Sequence, residues 1–254
     1  MLKLTGLAVC VASAAGAFGQ GSFGQIAFGG CWQTTLTLIN QNTAATANVT
    51  MFFYGDNGSP LSTPVQGIGA VTSYKFTILP GTRQDVVLSN SDANSGAVEG
   101  WASVSTVSDV ALGGQGSFLC RIAGRPDYQS VVPLSGQKSS PCLVPFPPAT
   151  NPVILVPFDD TAGQFTTSIA IANTTNSAQN ISIEFDDSSN NPLLKDILAL
   201  GPMQHMAFAT TDRYSQLAGT KGLLRIFADP ASTAVLGLLF NSTGPFTTIL
   251  PVTQ

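Results

Sequence analysis

Gly29 to Leu61 reads GGCWQTTLTLINQNTAATANVTMFFYGDNGSPL, and a second version, AGQFTTSIAIANTTNSAQNISIEFDDSSNNPL, occupies Ala162 to Leu193. In the first copy Thr35, Thr37 and Ile39 alternate with Leu36, Leu38 and Asn40, and Val49, Met51 and Phe53 alternate with Thr50, Phe52 and Tyr54. A period of two means strand, and one apolar face opposite a Thr, Ser and Asn face means an antiparallel sheet packed on one side. The second copy keeps the pattern through Ile169, Ile171, Ile181, Ile183 and Phe185. Trp32 matches Phe165, Asn40 matches Asn173, Phe53 matches Phe185 and Pro60 matches Pro192, with one residue of length change in the loop. A period of roughly 130 residues is too long for a solenoid repeat or a propeller blade and favours two whole domains, each with its own core.

Composition agrees. Of 254 residues 44% are hydrophobic and 9% charged, which suits a folded chain of strands and turns and lacks the Ala, Glu, Lys, Leu and Arg enrichment of helical proteins. The net charge is −4 and the ten basic residues are scattered, so nothing resembles the footprint of a nucleic-acid binder. Met1 to Ala17, with Lys3, an apolar run from Leu4 to Ala15 and the small-residue pattern Ala15-Gly16-Ala17, reads as a cleaved secretory signal. Leu7-Ala8-Val9-Cys10 is a poor lipoprotein signal because Val9 is bulky and the apolar run before it is short. Beyond the signal no stretch has the length of a membrane span. A secreted or cell-surface location is expected.

From these readings residues 18–134 form a first β-sandwich of seven or eight strands, 135–152 a linker with five prolines, and 153–254 a second sandwich. Asp56-Asn57-Gly58 is hairpin-turn chemistry. Thr211 to Ala218 is the one helix-compatible piece, with Asp212 as its cap.

Chemistry-bearing residues are few. Three cysteines remain after cleavage: Cys31, Cys120 and Cys142. The preferred pair is Cys120 with Cys142, which closes about twenty residues and adds on the order of 3 kcal/mol. Cys31 with Cys142 is the next choice, and three buried thiols the third. A zinc site lacks a close-spaced cysteine pair. His205, the sole histidine, falls opposite Gln84 of the first copy and reads as an exposed polar residue, with no nucleophile elbow to serve. Asp159-Asp160 and Asp186-x-Ser188-x-Asn190 are the densest oxygen ligands. The latter lacks the glycine and terminal glutamate of a calcium loop, so a turn is the better reading. Trp32, Trp101, Tyr54 and Tyr74, with Tyr128, could make an aromatic platform for sugar rings; packing of both tryptophans in the core is the competing reading.

The phrases Gly30-Cys31-Trp32-Gln33-Thr34-Thr35-Leu36-Thr37-Leu38-Ile39-Asn40, Phe53-Tyr54-Gly55-Asp56-Asn57-Gly58-Ser59-Pro60-Leu61 and Gly237-Leu238-Leu239-Phe240-Asn241 resemble those of a group of exported bacterial proteins, many from soil bacteria. The resemblance runs over nearly the whole mature chain and implies twin immunoglobulin-like sandwiches without an established activity. It transfers no functional residues, and Cys31 departs from the small residue of that pattern. The expectation is a non-catalytic extracellular or cell-surface structural or binding module, without cofactor or metal, with an extracellular polysaccharide or protein as its candidate partner. The alternatives are a carbohydrate-binding module, or an adhesin or filament subunit that assembles through sheet edges.

Overall fold

The computed structural model describes residues 20–90, 96–107, 110–124, 127–135 and 152–253. The expected signal segment, most of the proline-rich stretch and Cys142 lie outside them. The fold is all-β, with antiparallel sheets packed as sandwiches. The first ten strands are β1 (Gln20–Phe28), β2 (Trp32–Asn40), β3 (Ala47–Tyr54), β4 (Thr63–Val65), β5 (Gly69–Val71), β6 (Ser73–Ile78), β7 (Arg83–Ser89), β8 (Val98–Thr106), β9 (Leu112–Cys120) and β10 (Tyr128–Pro133). They form sheet A, in the order β1-β8-β3-β6, and sheet B, in the order β10-β9-β2-β7-β4-β5. The remainder comprises β11 (Val153–Asp159), β12 (Phe165–Asn173), β13 (Gln179–Asp187), β14 (Pro192–Leu200), β15 (His205–Ala209), β16 (Lys221–Phe227), β17 (Thr233–Asn241), β18 (Phe246–Ile249) and β19 (Val252–Thr253). These make sheet C, β14-β13-β16-β11-β19, and sheet D, β15-β12-β17-β18.

The internal repeat extends to topology. Apart from the short β4, β5 and β19, sheet C repeats the order of sheet A and sheet D that of sheet B. Each pair of sheets encloses a core where the alternation of its strands places it. Leu36, Leu38, Met51, Phe53, Ala102 and Val104 meet in the first; Ile169, Ile171, Ile181, Ile183, Phe185 and Leu224 meet in the second. The repeated asparagine has a structural task. Asn40 donates through Nδ2 to the carbonyls of Ala45 and Ile78, and its Oδ1 accepts the Asn42 N–H; Asn173 does the same with Ser177, Leu200, Gly201 and Thr175. Both side chains are fully buried, so each loop after β2 or β12 is tied to the end of the strand beneath it.

Some local expectations change. The expected helix is α1 (Thr210–Arg213) followed by a 3₁₀ turn at Ser215–Leu217. Asp212 lies in the first turn of α1, and the N-cap is Ala209, which offers no side-chain oxygen. In register, the counterpart of Gln84 is Met206, and His205 falls opposite Arg83.

Candidate functional site

The two sheet pairs meet along a seam in which the outer face of sheet A packs on the outer face of sheet D. A bulge between Phe23 and Ile26 lets β1 keep both of those side chains in the first core while Gly24 sits over Ala234. Sheet D presents Ala170, Ala172, Ala234 and Leu236, small or apolar residues that permit close approach. Trp101 is 0% exposed here, stacked on Tyr54 at 4.8 Å, and its indole N–H donates to the Met203 carbonyl at 2.8 Å. The Asp56-Asn57-Gly58 turn docks beside it. Gly58 has φ of +77°, and a Cβ there would come within 2.3 Å of the Pro202 carbonyl oxygen, so glycine meets both the turn and the contact. The His205 N–H donates to the Asp56 carbonyl at 3.2 Å, and its ring Nδ1–H to Asp56 Oδ1 at 2.7 Å.

Several expectations are therefore corrected. His205 is buried, at 3% exposure, because the seam closes over it; its Nε2 is buried without a partner. The four rings of the expected platform do not converge. Trp101 is sealed in the seam, with Tyr54 stacked on it. Tyr74 stacks on Phe76 against the first core, and Trp32 packs on Phe118 and Phe246 in a separate seam cluster. Trp101 is thus buried, but between the sheet pairs rather than inside a sandwich. The disulfide joins Cys31 to Cys120, so Cys120 is not available to Cys142. The reason is register. Cys31 directly precedes β2, Trp32 and Cys120 are opposite neighbours in sheet B, and the two cysteine Cα atoms lie 4.7 Å apart. Cys120 aligns with Asn241 of the second copy.

The acidic clusters singled out from the sequence are engaged as well. Asp186 pairs with Arg225 at 2.6 Å, and Asn190 Oδ1 accepts from the same guanidinium, while Asp187 Oδ1 accepts the Ser189 and Asn191 N–H groups. A cation of the protein itself occupies the oxygens a calcium ion would use, and the segment is a turn. Asp160 accepts from the Thr167 N–H and the Thr210 hydroxyl, and burial pushes its carboxyl above the usual range. Tyr214 donates to Asp196 at 2.6 Å. Burial, with Asp196 beside it, pushes the phenol up to about 12, and the same bond holds Asp196 below the usual carboxylate range. Among the described residues no group of His, Cys, Asp and Glu could hold a metal ion, and no helix is long and apolar enough to cross a membrane.

Open space lies on both sides of the seam. One cleft of about 340 Å³ sits where the faces of sheets A and D diverge, between Gln25 and Glu99 on one side and Ser168, Ala207, Asp212 and Phe240 on the other. Two more, of about 400 and 490 Å³, follow the line where β10 and β18 face each other. Sequence periodicity could not pair these strands across more than a hundred residues. No protein-family model matches the chain, and comparison with curated proteins gives no match.

Proposed function

We propose that the chain is a non-catalytic module of the extracellular space or cell surface, built as one stiff body from two immunoglobulin-like sandwiches and working by binding. The observation that carries this reading is that the histidine and two of the carboxylates singled out from the sequence are committed to bonds that hold the fold. His205 is sealed in the seam on Asp56, Asp160 ties β12 to α1, and Asp186 is neutralised by Arg225. A general base needs reach to a substrate proton, and a buried imidazole facing the Asp56 turn has none. The Cys31–Cys120 bridge suits an oxidising compartment and so fits the export signal read from Met1 to Ala17.

Assembly through sheet edges is the weaker alternative. Lys75 lies in the middle of β6 and Lys195 in β14, one edge strand of sheet A and one of sheet C, where a lysine discourages strand addition, and the edges β10 and β18 face each other. The test is to express the full chain in a bacterial host, fractionate the cells and screen the purified protein against ester, peptide and glycoside substrates. Recovery outside the cytoplasm with Cys31 and Cys120 oxidised, and no turnover, is expected. Cytoplasmic recovery with both thiols reduced, or turnover abolished by His205→Ala, would overturn it.

A further inference from the structure

Where β10 and β18 meet, two sheet edges come together without a backbone ladder. The hydroxyls of Ser130 and Thr248 bond to each other, and Thr248 donates to the Val131 carbonyl. Side chains thus bridge the strands and leave a groove along them. Tyr128 lies beside Phe246 at one end and Pro133 beside Leu250 at the other, and the two cavities share Gln129 as their common wall. At about 3.3 Å per residue the groove follows β10 for roughly 17 Å.

The lining is chemically narrow. Gln115, Gln129, Thr243 and Thr247 supply amides and hydroxyls, and Asp127 supplies the one charge among the described residues. Arg121 holds Asp127 through Oδ2 at 3.2 Å. Among the described residues no lysine or arginine lines either cavity, and Arg121 beside them is taken up by Asp127, so the lining is not that of a site for a phosphorylated or sulfated chain; a purely apolar ligand would desolvate the amides without replacing their bonds. The Tyr128 ring, partly buried against the seam cluster, and Pro245 add flat apolar faces, and Phe246 beneath them is steadied by Trp32 at 5.5 Å. Rows of C–H groups alternating with hydroxyls match such a surface, the former on the rings and the latter on the amides and Asp127.

We infer that the β10/β18 groove is a binding site for a linear, neutral oligosaccharide. The assignment rests on the binding reading above and places the site away from Trp101. Its test is calorimetric titration of the full oxidised chain with hexamers of β-1,4-linked glucose, xylose and N-acetylglucosamine and with the three monosaccharides, the recovered sugars being sized by mass spectrometry. At least one hexamer should bind, with its monosaccharide at least about tenfold weaker. Tyr128→Ala should cost about tenfold, equivalent to about 1.4 kcal/mol. Gln129→Ala, at an exposed position that leaves the fold intact, should weaken binding severalfold. Binding by none of the hexamers, or binding indifferent to both variants, would overturn the assignment. Shortened sugars would instead sink the non-catalytic reading while leaving the groove in place.

Discussion

Replacing Trp101 by alanine is the most demanding test of the seam. The indole is fully buried between Tyr54 and the alanine face of Ala172 and Ala234. Truncating a large buried aromatic costs about 3–5 kcal/mol. The Met203 carbonyl also loses its donor, at roughly 1 kcal/mol or more. Because both losses occur at one place they will not add fully, and a total of about 4–6 kcal/mol is expected. That is a large share of a typical stability of about 5–15 kcal/mol. Trp101→Phe, which keeps a ring on Tyr54 but drops the hydrogen bond, should cost about 1–2 kcal/mol. The assay is equilibrium urea unfolding followed by far-UV circular dichroism. The native chain should unfold in one transition, because the seam couples the sheet pairs, and Trp101→Ala should unfold in two. A loss under about 1 kcal/mol with a single transition retained would refute the claim that this ring joins the halves.

Cys31→Ser removes a cross-link spanning 89 residues, for which the chain-entropy estimate is about 4–5 kcal/mol, read as a lower urea midpoint equal to that of the reduced native chain. Asn173→Ala strips the Ser177, Leu200 and Gly201 carbonyls of a shared donor and should destabilise by about 2–4 kcal/mol in the same titration. Tyr214 has its pKa raised from 10.0 to about 12, so the stability tied to its protonated phenol is fully present below pH 10 and is lost as pH climbs from there through 12. Tyr214→Phe should flatten that alkaline fall in thermal melts between those limits.

The strands were legible because their alternation is local. Leu36 and Leu38, or Ile181 and Ile183, announce a buried face without knowledge of what covers it. The repeat could be read for the same reason, and Asn40 and Asn173 marked equivalent corners before their bonds were known. The seam was not legible, since nothing near Trp101 in sequence says that Met203 will take its N–H. One signal was available. Ala234 to Phe240 in β17 is apolar on both faces, as is Ile169 to Ala172 in β12, and a strand that buries both faces needs a second partner. The disulfide was missed because short loop closure favoured Cys142 on the chain, whereas sheet register put Cys31 beside Cys120 in space.

The bridge also decides how the protein would behave as a tether. When tension is applied at the two ends, the chain between Cys31 and Cys120 cannot be drawn out while the sulfurs remain joined. At about 3.4 Å per extended residue, the 89-residue span withholds roughly 300 Å of reach. An oxidised molecule therefore lengthens only through the remainder of the chain and then stops, whereas a reduced one continues to pay out. Single-molecule pulling would read that difference directly as a missing length.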